Sequence, residues 1–145
     1  MRILGLDFGD TRIGLAVSDQ LLISAQGLGT YQVKNIREDL KFFRELVSEY
    51  EIEEIVIGLP LRMDGSEGTR AEKTKEFARW LEKNLKLPVS FWDERLTTQQ
   101  ASRIIRQRRE KRRRKKGLKD QISAVIILSS YLEQKRTKSH ASQNH

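Results

Sequence analysis

Four acidic residues stand where this sequence could do chemistry. Asp7 follows the apolar run "ILGL", Asp93 and Glu94 follow "VSFW", and Asp120 opens the stretch "DQISAVIILSSYLE". In open sheets with parallel strands, ligands bind beyond the carboxyl ends of the strands, so acids at those ends are candidate ligands. Two unit charges about 4 Å apart repel by about 4 kcal/mol at an effective dielectric near 20. Carboxylates gathered in one place therefore call for a cation. The sequence has no cysteine, and its two histidines, His140 and His145, lie in a polar C-terminal stretch. Oxygen ligands alone suit a hard divalent ion, Mg2+ or Mn2+. Two such ions roughly 3.5 to 4 Å apart activate a water and stabilise the leaving oxygen of a phosphodiester.

Each acid also has a plain structural use. An acid in the first turn of a helix complements the macrodipole, which accounts for Asp120 as a cap. Asp93 and Glu94 can simply begin a polar loop. Asp7 is harder to explain this way, because the following turn "GDTR" already has Asp10 and Thr11 as its polar residues. Between Asp93 and Glu94 the residues alone leave the choice of ligand open.

The elements that must position these acids follow from periodicity. Ile3–Phe8 and Ile13–Val17 read as strands joined by a tight hairpin, and a weaker third strand runs from about Ile23 to Val33, interrupted by Gly27 and Gly29. Ile36, Leu40, Phe43, Val47 and Tyr50 recur at helical spacing. "EEIVIGLP" is a buried strand stopped by Pro60, and the polar loop "RMDGSEG" leads to a second helix with Thr69 and Glu72 in capping-box spacing. "VSFWDE" is a fifth strand, and a third helix follows with Thr97 and Gln100 as its capping box. "DQISAVIILSSYLE" is a fourth helix, apolar on most faces and buried. This order predicts an α/β domain: a five-stranded mixed sheet, its first three strands antiparallel and the rest in parallel βαβ units, with helices on both faces. One domain is expected over residues 1–133 with a disordered polar tail over 134–145. Trp80 and Trp92 fall within core elements. The apolar run Ile3–Leu6 is too short for a signal-peptide core, so the expectation is a soluble, cytoplasmic protein without a membrane partner.

Charge is unevenly spread. The chain carries a formal +8, and from Arg103 to Lys119 eleven basic residues face one acid, Glu110, a local +10 that leaves −2 for the remainder. A basic element on a nearly neutral domain points to a polyanionic partner. The candidate nucleic-acid contacts along this run are Arg106, Arg109, Arg112, Arg113, Arg114, Lys115 and Lys116. Near the strand ends they are Arg12, Arg62 and Arg95. Blocks of like charge also form solvated, disordered loops, and disorder is compatible with binding. Six phosphate contacts would give log K a slope near −5 against log salt.

Four blocks, "DFGDTRIGLAVSD", "IVIGLPLRMDGSEG", "DERLTTQQA" and "KDQISAVIILSSYLE", closely resemble the motifs of the YqgF family, also called the Holliday-junction-resolvase-like or pre-16S rRNA nuclease family. The resemblance spans about Arg2 to Glu133. It implies a ribonuclease H-like fold and a metal-dependent endonuclease. Its acidic motifs fall on Asp7, Glu94 and Asp120 as catalytic metal ligands for Mg2+ or Mn2+, with Asp93 and Gly9 as outer-shell positions. It implies hydrolysis that leaves a 5′ phosphate. The implied substrate is precursor 16S rRNA, with branched DNA junctions as the alternative. Two positions depart from the pattern: Arg62 stands where a small polar amide is expected, and Lys119 where an aliphatic is more usual. Monomer and homodimer both remain open. A rival reading starts from Asp7, Gly9 and Gly14, which resemble the phosphate-binding hairpin of two-domain ATPases, although this chain supplies one such domain. A third is a non-catalytic RNA-binding module that relies on its arginines.

Overall fold

A computed structural model describes residues 1–96, 98–112 and 119–143, with side chains placed except at 100, 108–112, 119–121 and 139–143. The chain runs β1 (Arg2–Phe8), β2 (Arg12–Ser18), β3 (Ala25–Gln32), α1 (Ile36–Tyr50), β4 (Ile52–Leu59), α2 (Thr69–Leu85), β5 (Val89–Asp93), α3 (Gln99–Arg112) and α4 (Lys119–Gln143). The strands form one sheet in the order β3-β2-β1-β4-β5. β1 pairs antiparallel with β2 and parallel with β4, and β4 pairs parallel with β5. The mixed sheet and the antiparallel start are as the sequence predicts.

Strand alternation divides the core between two faces. Leu4, Leu6, Ile13, Leu15, Ile55 and Ile57 pack with Phe43 and Leu81 of α1 and α2. Ile3, Ala16, Val56 and Trp92 pack with Ala124, Ile127 and Leu128 of α4. Trp92 is buried, as expected, whereas Trp80 is half-buried and stacks on Phe77. It lines an apolar groove of about 450 Å3 on the α1–α2 face.

α4 approaches β1 closely because Gly5 has no side chain: a methyl there would lie 2.7 Å from Leu128 Cβ and 3.3 Å from the Ala124 carbonyl. Its direction is fixed by contacts along β4. Ile127 lies over Gly58 near the carboxyl end, while Tyr131 and Lys135 reach Glu54 near the start. α4 therefore runs antiparallel to β1 and β4, and its N-terminus faces the rim where those strands end.

Three local expectations are corrected. α2 is capped at Gly68 with no side-chain cap bond, so Thr69 is its first residue rather than its cap. Arg62 lies across Gly68, with Nε 3.2 Å from where a Cβ would stand. At α3 the cap is Thr98, whose Oγ1 accepts from the Ala101 N–H at 3.1 Å; Thr97 lies outside the described residues. The stretch after Glu133 is helical through Gln143 rather than a disordered tail. Lys135 pairs with the buried Glu54 carboxylate at 2.7 Å, Tyr131 donates to the same group, and Arg136 donates to the Leu22 and Ile23 carbonyls. These partners lie more than 70 residues upstream. Among the described residues, no helix is long and apolar enough to cross a membrane.

Candidate active site at the carboxyl ends of the parallel strands

Asp7 is half-buried near the end of β1, opposite Gly14 in the hairpin ladder. It lies on the same face as Ile3 and Gly5, the face that α4 covers. Leu6 pairs with Ile57 in the parallel ladder, so the next rung sets Asp7 beside Gly58, about 5 Å away across the strands. Glu94 follows β5 directly, and its side chain folds back over that glycine. A Cβ at Gly58 would lie 2.8 Å from Glu94 Oε1, 3.0 Å from its Cγ and 2.5 Å from Ile127 Cδ1. Asp7 and Glu94 thus share one face, with the Glu94 side chain over the strand next to that of Asp7.

Asp120 joins them through the backbone of α4. Ala124 and Leu128 bracket Gly5, so the antiparallel run points the N-terminal end of α4, which carries residue 120, toward the rim where β1 ends; the Asp120 side chain lies outside those described. Among the described residues, no group of three acids or histidines gathers to hold an ion.

Asp93 takes a different part. Alternation sets it on the opposite face from Trp92, and Arg95 grips both its oxygens, with Nε at 3.1 Å from each and Nη2 at 2.7 Å from Oδ2. The Arg95 guanidinium holds the Asp93 carboxyl below its usual range against the burial that raises it. Arg95 also donates to the Met63 carbonyl at 3.3 Å, tying the end of β5 to the loop before α2. Arg95, expected as a nucleic-acid contact, is thus engaged within the fold.

The remaining expected residues are dispersed. Arg62 is exposed and lies over Gly68, and its N–H donates to the Ser66 carbonyl at 3.0 Å. Arg12 is exposed at the start of β2, and its carbonyl would stand 2.6 Å from a Cβ at Gly9. That close approach explains Gly9 as a turn residue. Arg106 is exposed on α3; Arg109 and Arg112 lie on α3 with undescribed side chains. Arg113, Arg114, Lys115 and Lys116 lie outside the described residues, as does the expected disorder of that run.

Glu94 is exposed as a residue, yet its carboxylate lies against Gly58 and Ile127. Burial pushes its carboxyl above the ordinary 4.5; the charge of Arg70 draws it down, and that of Asp93 adds to the rise. The folded chain therefore favours the protonated form, and the stability that form contributes is lost as pH rises through the raised value. In chelator, Glu94→Gln should raise the Tm near neutral pH, with the gain vanishing below about 4.5, where Glu94 is protonated in both states. A thermal melt series across pH checks this; a gain that persists in acid contradicts it.

Two residues escaped the sequence reading. Gly58 sits inside a β-branched strand where glycine has no local use, and that was the available signal. Arg70 is a cation in the first turn of α2, where the helix dipole disfavours positive charge.

A family model described as "RuvX: Holliday junction resolvase" matches residues 1–134. The chain belongs to this family. A relative from Koribacter versatilis is 52% identical over 135 residues, covering 92% of this chain and 88% of its own. One from Halothermothrix orenii is 48% identical over 132 residues, covering 91% and 94%. Both are named "Putative pre-16S rRNA nuclease". Among solved structures, T. thermophilus RuvC in complex with Holliday junction substrate gives a TM-score of 0.58 at 13% identity, covering 94% of this chain and 96% of RuvC. Fowlpox virus resolvase with Holliday junction DNA gives 0.58 at 11%, covering 92% and 98%. This RuvX-family chain thus has the ribonuclease H-like fold of RuvC-type resolvases, as the motif resemblance implied.

Proposed function

We propose that this RuvX-family chain is a Mg2+- or Mn2+-dependent endonuclease acting in 5′-end processing of precursor 16S rRNA. The observation that carries the reading is the Glu94 carboxylate folded over Gly58, on the strand next to that of Asp7 and on the same face. Carboxylates brought to one strand end repel unless a cation joins them, and their oxygen donors suit a hard divalent ion. Asp7 and Glu94, with Asp120 from α4, would hold it. Such an ion activates a water and stabilises a leaving oxygen. The chain itself supplies orientation: Gly5 and Gly58 let α4 and Glu94 close on the strand ends, and the Asp93–Arg95 pair holds the loop beside them. The basic run over residues 103–119 would position the strand by its phosphates without reading its sequence.

The substrate follows the names of the relatives. Junction resolution is the second reading, supported by the family description and the junction-bound fold neighbours. It needs two centres in a dimer, whereas rRNA processing needs one. Purified protein with Mg2+, offered a 5′-extended 16S precursor fragment, a four-way DNA junction and plain duplex RNA, should cut the precursor to products bearing 5′ phosphates. Preferential cutting of the junction would transfer the assignment to branched DNA. Cutting of none of the three would favour a binding module.

A further inference from the structure

We propose that Arg70 and Lys73 form a phosphate subsite that grips a backbone phosphodiester of the substrate strand beside the Asp7–Glu94 centre. This deepens the nuclease reading and rests on it for the choice of ligand. A cavity of about 120 Å3 lies between the β1–β2 turn and the first turns of α2, lined by Phe8, Gly9, Asp10, Arg70, Lys73 and Thr74. Its wall begins one residue beyond Asp7. The volume leaves room for one phosphate group.

Its charge suits an anion. Arg70 and Lys73 outnumber Asp10. The Asp10–Lys73 pair is loose, at 3.7 Å with side chains 74% and 54% exposed, so it contributes little and leaves Lys73 able to turn. The charge of Arg70 is also felt at the Glu94 carboxyl. One guanidinium thus stands at the cavity wall and within electrostatic reach of a proposed ligand. The Thr74 hydroxyl donates to the Arg70 carbonyl at 2.8 Å and is itself almost fully buried, which fixes the turn that carries Arg70. The planar guanidinium can take a phosphate by two parallel bonds, which an ammonium cannot.

The test reads binding rather than cutting. Full-length Asp7→Asn protein, in Ca2+, is titrated against a fluorescent 2′-O-methyl oligonucleotide of the precursor 5′ region, with single methylphosphonates walked along the strand. Adding Arg70→Ala should weaken binding about tenfold to a hundredfold and flatten the salt slope by about one. One methylphosphonate near the cleavage position should weaken the parent to the same degree and the Arg70→Ala variant no further. Arg70→Lys should fall between. Binding unchanged by Arg70→Ala, or losses that multiply at every position, would overturn the subsite. Thermal melts of Arg70→Gln separate misfolding from lost contact. A chain that binds in this pattern but never cuts keeps the subsite and loses the nuclease reading; one that cuts without the pattern does the reverse.

Discussion

Asp7→Asn should reduce cleavage of the precursor fragment by a thousandfold or more while leaving the Tm unchanged or higher. A thousandfold loss corresponds to about 4 kcal/mol of transition-state stabilisation. That is the scale expected when a ligand is removed from a site whose ion stabilises developing charge. Asparagine keeps the size and one oxygen of the side chain but removes the charge. The stability side follows from the same geometry. Asp7 ends β1, and the Glu94 side chain folds over Gly58 of the neighbouring β4 on the same face. In chelator, carboxylates gathered at one strand end repel. Removing one relieves that strain, whereas a carboxylate used only for structure would be missed. Full cutting by Asp7→Asn would end the assignment of Asp7 as a catalytic ligand. Lost cutting with a much lower Tm would recast Asp7 as structural.

What the sequence revealed and what it concealed divide by distance along the chain. Strand ends are local: Asp7 after "ILGL" and Glu94 after "VSFW" could be found from hydrophobic runs and stops alone. The choice of Glu94 over Asp93 needed the motif resemblance, and the structure supplies a physical reason. Alternation sends Asp93 to the other face, where Arg95 occupies both its oxygens. The misjudged helix ends have partners that no local pattern contains. The cap of α2 falls on Gly68, which has no side chain to signal it, and α4 continues past Glu133, where Glu54 and the β2–β3 turn receive its basic side chains. Nothing local marks Arg70; its relation to Glu94, 24 residues on, exists only once β4, α2 and β5 are laid side by side. Composition alone announced a basic arm, but the residues at its centre lie outside those described.

Gly58→Ala should damage both stability and activity, and the pairing of the two effects is informative. The added methyl would stand 2.5 Å from Ile127 Cδ1 and 2.8 Å from Glu94 Oε1. Ile127 is 3% exposed within the α4 face of the core and has little room to retreat. Overpacking of this kind costs about 1–3 kcal/mol, enough to lower the Tm by several degrees. Glu94 has the easier escape, because its residue is open to solvent on one side. It should swing outward, and a misplacement of about 1 Å at a reacting centre can lower the rate about a hundredfold. Gly29→Ala is the matching control: Gly29 has φ +100 with nothing within 4 Å of its missing Cβ, so backbone strain alone should lower its Tm while cutting persists. A Gly58→Ala protein that melts early yet cuts at the normal rate would show that Glu94 does its work elsewhere, or none. Loss of cutting in Gly58→Ala but not in Gly29→Ala, at matched Tm, ties the rate to the position of one carboxylate.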